Sequence, residues 1–356
     1  MPRLFFVFIL LVFLTGIPGC LHGSEKDSFA QTTTKTRAAQ QKKPLEISMV
    51  GDILLAASVG RVMDNYGVEY PWAATAGQLR RSDLTLGNLE NSVGTSGSPQ
   101  KKTYTFQAKP KTLQGLVYAG FDVVTLANNH SLDFGQTALR ETMTNLKKYK
   151  INYTGAGENW TEAARPLFLE RQGYKIAVLG FTRVIPDPFW AAKDNRPGLA
   201  AAYDPFPVLE AIKETRPKAD LIIVNIHWGK EDAPFPEEYQ PKLAKAMVDA
   251  GADIIMGHHP HVLQGIEIYK GKIIAYSLGN FVFTNRTGKP MDSMILKTWF
   301  DPLGFTRLRL DPIVLHMARP QPANLADKER ILNKLRKLST PFGTKINKNG
   351  EILLKY

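Results

Sequence analysis

One cysteine in 356 residues is the first constraint: Cys20 has no partner in its own chain, so no intramolecular disulfide braces the fold, which must rest on its core. Long apolar runs are scarce too. Leu4 to Leu14 is unbroken but too short to cross a bilayer comfortably as a mature helix. No fixed-period repeat is visible, which points away from a solenoid or propeller. Acidic residues are outnumbered, 33 Asp and Glu against 45 Lys and Arg, and the formal charge of +12 favours anionic partners. Nucleic acid, acidic lipid headgroups and a polyanionic surface polymer all fit that charge, and so does a generally solvated basic surface. What is present is a core: 44% of residues are apolar and 22% charged, which excludes wholesale disorder and allows one large domain or two ordinary ones.

The single cysteine is well placed for another use. Met1-Pro2-Arg3 gives a short positive start, the apolar run follows, and Ile17-Pro18-Gly19-Cys20 sets a small residue just before the thiol. This resembles the lipobox of bacterial lipoproteins, which implies a signal peptide over 1–20 and a diacylated Cys20. Each buried methylene of an acyl chain adds about 0.8 kcal/mol of membrane affinity, so two or three chains would hold the protein firmly on a membrane surface. A plain secretory signal or short anchor helix is the alternative, and either exports the rest. Residues 21–44 are polar and aperiodic, the composition of a flexible tether.

From Leu45 onward short apolar runs alternate with amphipathic stretches, the pattern of a layered α/β domain. Leu45–Val50, Asp83–Leu86, Phe121–Leu126, Lys175–Phe181, Leu221–Ile226, Asp253–Met256 and Lys272–Ser277 read as buried strands. Helices are predicted over Phe134–Tyr149 and Pro236–Ala250, the second stopped by Gly251. Met294–Phe300 and Arg307–Leu315 suggest antiparallel strands. Leu325–Leu338 reads as a helix with Ile331, Leu332 and Leu335 inward, and Asn349-Gly350 as a hairpin turn before a last strand.

Potential metal ligands fall at the carboxyl ends of these runs, where open α/β sheets place their ligands. They are Asp52, Glu90, Asn129 with His130, His227, and the triplet His258, His259 and His261; five of the seven histidines lie in these motifs. Singly each has a plain structural alternative. Asp52 could cap a helix, Glu90 could be a solvated loop carboxylate, Asn128 and Asn129 could serve a turn, and His227 could be a hydrogen-bonded core histidine. Three imidazoles on one glycine-flanked strand end are costly to pack without a partner, and the joint pattern favours a metal cluster. Imidazole mixed with carboxylate or amide oxygen suits Zn, Mn, Fe or Ni. Two such ions sharing a carboxylate would activate water for attack on a phosphorus or carbonyl centre.

The ordered motifs Gly51-Asp52, Gly87-Asn88-Leu89-Glu90, Asn128-Asn129-His130, His227-Trp228-Gly229, Gly257-His258-His259-Pro260-His261-Val262 and Ser277-Leu278-Gly279-Asn280-Phe281 resemble the CapA family of capsule and poly-γ-glutamate synthesis proteins, itself similar to the calcineurin-like metallophosphoesterases. The resemblance implies an α/β fold, a four-layer metallophosphoesterase-like sandwich of two β-sheets flanked by helices. It divides the chain into a domain over 45–320 and a C-terminal helix and hairpin over 321–356 packed on it. It also implies two divalent metal ions. Asp52 and His261 would bind the first, Asn129, His227 and His259 the second, and Glu90 would stand at the bridging position. His130 would protonate a leaving oxygen. His258 has no ligand counterpart and is placed with Asn128 behind the ligands. Trp228 and Asn280 are expected to line the cleft, with core packing and a turn role as equal alternatives.

Two departures stand out. Leu54 occupies the position where phosphoesterases carry a first-metal histidine, and Glu90 replaces a bridging Asp with a side chain one methylene longer. The first metal should therefore bind more weakly. The resemblance implies a membrane-anchored protein for synthesis, export or anchoring of an anionic polymer such as poly-γ-glutamate. Its partners would be the anionic polymer or a phosphorylated substrate, the membrane, and membrane-bound polymer synthase proteins, with no nucleic acid expected. A secreted metal-dependent phosphoesterase and a non-catalytic assembly factor are the alternatives.

Overall fold

The first strand, β1 (Leu45–Ile53), shows how the molecule is built. Its alternate residues Leu45, Ile47 and Met49 enter one apolar cluster while Val50 enters another on the opposite face. A strand buried on both faces must lie in the middle of a layered structure. In this computed structural model residues 42–283 and 291–354 are described. Cys20, the expected signal peptide and the expected tether up to residue 41 lie outside them, and 42–44 are exposed coil.

Beyond β1 the main strands are β2 (Leu84–Leu89), β3 (Val123–Thr125), β4 (Asn152–Thr154), β5 (Leu167–Arg171), β6 (Tyr174–Thr182), β7 (Leu221–His227), β8 (Ile254–His258), β9 (Ile266–Tyr269), β10 (Lys272–Ala275), β11 (Asn280–Val282), β12 (Met291–Asp301), β13 (Gly304–His316) and β14 (Arg319–Pro322). One sheet runs β14-β13-β12-β1-β2-β3-β4 with β11 beside the end of β1, and the other runs β9-β10-β8-β7-β6-β5. β1 to β4 are mutually parallel, as are β6, β7, β8 and β10, while β12, β13 and β14 continue the first sheet antiparallel.

The two sheets pack face to face. Leu45, Ile47, Met49, Leu84, Leu86 and Val123 of the first share one cluster with Ile176, Val178, Leu221, Ile223, Ile254 and Met256 of the second. Each such fully buried aliphatic side chain contributes about 1.5–3 kcal/mol relative to exposure. The outer faces are covered by helices. On the first sheet these are α1 (Ala57–Tyr66), α2 (Leu113–Ala119) and α3 (Gly135–Lys148), which bring Val59, Met63, Leu116, Leu139, Met143 and Leu146. On the second they are α4 (Pro205–Thr215) and α5 (Tyr239–Asp249), with Val208, Ile212, Leu243 and Met247. The result is the four-layer α/β sandwich that the motif resemblance implies.

At the C-terminal end α6 (Leu325–Ser339) begins under an Asn324 cap and places Ile331, Leu332 and Leu335 in the inter-sheet core beside Leu308 and Leu310 of β13. The expected turn at Asn349-Gly350 is present, with Gly350 at φ +86°, but no strand follows it. Among the described residues Glu351 and Ile352 make isolated bridges to Arg309 and Ile346.

Candidate metal centre

Strand periodicity carries polar side chains to one end of the inter-sheet core. In β2 the inward positions Leu84 and Leu86 are followed two and four residues later by Asn88 and Glu90, so both face the second sheet. In β7 the inward Leu221 and Ile223 are followed by Asn225 and His227, and in β8 Ile254 and Met256 are followed by His258. The apolar core thus gives way to ligand-type groups at the carboxyl ends of the parallel strands.

Asp52 needs a further device, since simple alternation would send it to the helix side with Val50. The pairing of β1 with β2 is irregular between Met49 and Asp52, and Ile53 joins the same cluster as Val50, so the faces have been exchanged between them. Bulges of this kind re-aim side chains beside functional sites. Gly51 makes it possible: a Cβ there would lie 1.8 Å from the carbonyl oxygen of Gly279. Asp52 then pairs in register with Asn88 on one side and Asn280 on the other.

The groups converge closely. Nδ2 of Asn88 lies 2.9 Å from Oδ1 of Asp52 and 3.3 Å from Oε2 of Glu90. Oε1 of Glu90, fully buried, stands 3.7 Å from Nε2 of His227 and 3.7 Å from Nε2 of His261, yet has no hydrogen-bond partner. Oδ1 of Asn129 is 2.9 Å from Nε2 of His227. Across the cleft, Nδ1 of His258 is 3.1 Å from Oδ1 of Asp52, and Nδ1 of His261 is 3.2 Å from Oδ2 of Asp52 and 2.9 Å from Oδ1 of Asn280. His259 and His261 adopt φ of +95° and +60°, left-handed conformations that cost a non-glycine residue of order 1–3 kcal/mol and here turn both rings toward the cleft.

Two of the sets of side chains that could hold an ion are Glu90, His227 and His259, and Asp52, Glu90 and His261, with ligand atoms within 4.8 Å of one another in each. Glu90 belongs to both. The orphaned Oε1 of Glu90 and the orphaned, buried Nδ1 of His259 are costly without a partner, and a cation would satisfy both. The donor set therefore fits a divalent metal on the chemistry of its own residues.

The electrostatics reflect the crowding. Burial would raise the Asp52 carboxyl, but hydrogen bonds and charge from His258 and His261 hold it well below the usual range. Burial and the charge of Asp52 push Glu90 well above it. His261 is raised to about 10, because Glu90 and Asp52 outweigh its own burial. Burial drives His227 well below the ordinary imidazole value and His259 to about 3, both reinforced by neighbouring imidazoles. Such opposed shifts among neighbouring groups are typical of functional sites.

His130 lies beside the cluster. Its Nδ1 is 2.6 Å from Oδ2 of the buried Asp133, whose Oδ1 is 2.6 Å from Nζ of Lys102. Lys102 also reaches Nδ1 of His130 at 3.2 Å and the carbonyl of Asn129, with Nζ 5.1 Å from the Trp190 ring centroid. Asn128 builds the turn, accepting from the His130 amide at 3.0 Å and donating to Asn88 at 2.9 Å.

The structure brings Asp52, Glu90, Asn129, His227, His258, His259, His261 and Asn280 to one place, with His130 at its edge. Trp228 is different. It is fully buried on the helix side of the second sheet, stacked on Tyr276 and donating from Nε1 to the Tyr276 carbonyl at 3.0 Å, so it does not line the cleft. Its position one residue after the inward His227 turns it outward. Sequence reasoning missed Lys102, Asp133 and the central role of Asn88; of these only Asn88, two residues before Glu90 on the same strand face, carried a readable signal. A groove of about 770 Å³ lined by Trp160, Phe189, Arg196 and Tyr203 contains none of the cluster residues.

Residues 46–285 match the family described as "Bacterial capsule synthesis protein PGA_cap". The chain is 37% identical to "Capsule biosynthesis protein CapA" of Bacillus anthracis, over 84% of this chain and 74% of that protein. It is also 37% identical to "PGA biosynthesis protein CapA" of Bacillus subtilis, over 78% and 73%. A solved 5'-nucleotidase from Candida albicans aligns with a TM-score of 0.40 at 11% identity, covering 85% of this chain and 59% of that one. The chain belongs to the PGA_cap family of bacterial capsule synthesis proteins.

Proposed function

We propose that this protein serves the synthesis, export or anchoring of an anionic extracellular polymer of the poly-γ-glutamate type, using a two-metal site held at a membrane surface. The observation that carries the reading is the fully buried, unpartnered Oε1 of Glu90, equidistant from His227 and His261, in a member of a capsule synthesis family. Asp52 and His261 would hold one ion, Asn129, His227 and His259 the other, and Glu90 both. The ions would supply Lewis acidity toward an amide or phosphate group. His130, fixed through Nδ1 by Asp133, would deliver a proton from its other nitrogen to a leaving atom. The formal charge of +12 supports an anionic partner, and membrane-bound synthase proteins would complete the machinery.

Cys20 is the proposed attachment point for lipid. Among the described residues no helix is long and apolar enough to cross a membrane. A Cys20→Ser chain should move from the membrane to the soluble fraction, and unchanged membrane retention would overturn the anchor.

The test is genetic and chemical together. Deletion of the gene in the native host should remove an extracellular polyanion that releases glutamate on hydrolysis. Wild type should restore it, while His227→Ala and Glu90→Ala should not. Full restoration by both variants would show that the metal site is not used. Polymer production unaffected by the deletion, with purified wild type cleaving simple phosphoesters, would replace the reading with a phosphoesterase. His130→Ala should lose any turnover while keeping the wild-type metal content.

A further inference from the structure

A third carboxylate faces the cluster from the solvent side. After His227 and the outward Trp228, the segment Gly229–Ala233 crosses back over the open end of the sheets. Three bonds fasten it there: the Gly229 amide donates to Oη of Tyr239 at 2.8 Å, the Asp232 amide donates to the Pro260 carbonyl at 2.9 Å, and Nε2 of Gln264 donates to the Ala233 carbonyl at 2.9 Å. The second of these ties the segment directly to the His259-Pro260-His261 turn. Asp232 itself takes a φ of +58° to complete the crossing.

This holds a carboxylate oxygen of Glu231 and ring nitrogens of His259 and His261 within 4.8 Å of one another. Among the described residues no hydrogen bond or ion pair engages the Glu231 carboxylate. Metal–ligand bonds of about 2.0–2.2 Å put two ligands on opposite sides of one ion roughly 4.2 Å apart, so the grouping has the dimensions of a shared ion after small adjustment. His259, 5% exposed, has its Nδ1 buried without a hydrogen-bond partner, a lone pair that a cation held between the two histidines and Glu231 would engage.

The place also needs a ligand. Leu54 stands where the motif resemblance calls for an imidazole, and it is fully buried in the helix-side core with Val59 and Met63. The set Asp52, Glu90 and His261 is therefore left with three side chains, one of them shared. We propose that Glu231 is a ligand of the metal pair, supplied from the solvent face by the β7–α5 connection and completing the His261 side that Leu54 leaves short. This rests on the two-metal reading above.

Metal titration of the full-length protein separates the two. Mn²⁺ binding is followed by calorimetry and by the electron paramagnetic resonance of the bound ion, for wild type, Glu231→Gln and the control Glu238→Gln, whose carboxylate is exposed and paired with Lys242. Glu231→Gln should weaken the lower-affinity Mn²⁺ by about tenfold or more and change its spectrum, with unfolding temperature unmoved when metal is absent. Glu238→Gln should match wild type. Two sites of wild-type affinity and spectrum in Glu231→Gln would overturn the assignment while leaving the metal site standing. No binding of Mn²⁺, Co²⁺ or Zn²⁺ by wild type would overturn the two-metal reading and the assignment with it.

Discussion

Oδ1 of Asp52 and Nδ1 of His258 stand 3.1 Å apart, although 206 residues separate them and they belong to different sheets. Both are buried, and the contact joins the two sheets at the end where their apolar packing has stopped. Register prepares it from both sides: Asp52 lies between Asn88 and Asn280, and His258 lies beside His227.

His258→Ala should therefore act on both fold and site. It leaves the buried Asp52 carboxylate with fewer donors, which should cost about 1–3 kcal/mol of stability. It should also weaken metal binding about 10- to 100-fold, as loss of a group that orients a ligand does. Calorimetric unfolding and metal titration read the two effects, and no change in either would show that His258 is a bystander.

Glu90→Gln should move stability and metal affinity in opposite directions. The carboxylate is buried against Asp52, and one oxygen has no partner, so the metal-free fold carries an uncompensated cost. A neutral amide avoids both the charge beside Asp52 and the cost of taking up a proton to remove that charge, so the metal-free variant should unfold at higher temperature than metal-free wild type. Metal affinity should fall by about 100-fold or more. A metal-free variant less stable than wild type would contradict the account of Glu90 as strained by function.

The ionisation of the site gives the protein a metal-dependent pH profile. His261 has a folded value of about 10 against an ordinary 6.5, so without metal its contribution is fully present below 6.5 and lost as pH rises through about 10. Glu90, also raised, has the same sign, its contribution declining from its ordinary 4.5 upward. Asp52, lowered, acts oppositely and is lost only as pH falls below 3.8 and on through its depressed value. Metal ions must displace the protons on His261 and Glu90, so affinity should rise with pH. The gap in unfolding temperature between metal-loaded and chelated protein should widen between about pH 6 and about pH 9. A gap independent of pH would mean that binding releases no proton.

Much of this arrangement was legible because it follows strand periodicity. Asp52, Glu90, His227 and His258 each end an apolar run, and the long runs made seven strands visible. Short or one-sided elements were not: β4 has three residues, β5 alternates without full burial, and α1 and α4 carry few buried residues on their apolar sides. The exchange of faces near Gly51 left no local mark, since it is set by the approach of Gly279 from a distant loop. Lys102 and Glu231 were unreadable for the same reason. Each sits in a polar connection whose path depends on anchors elsewhere, Asp133 for the first and Pro260 for the second.

Trp228 supplies a check on that periodicity. As a neighbour of His227 in the sequence it invites a role in the cleft, but alternation places it in the opposite layer, against Tyr276. Trp228→Phe keeps a ring in the helix-side core but removes the Nε1 donor and leaves the buried Tyr276 carbonyl short of a bond. The cost should be about 1–3 kcal/mol, seen as a lower unfolding temperature in metal-loaded and metal-free protein alike. Metal affinity should stay at the wild-type value, because the backbone bond from the Trp228 amide to the His258 carbonyl does not depend on the side chain. A variant that kept its stability but lost metal or polymer production would put the indole back at the cleft, and would mean that the layer order at the end of β7 is not the one described.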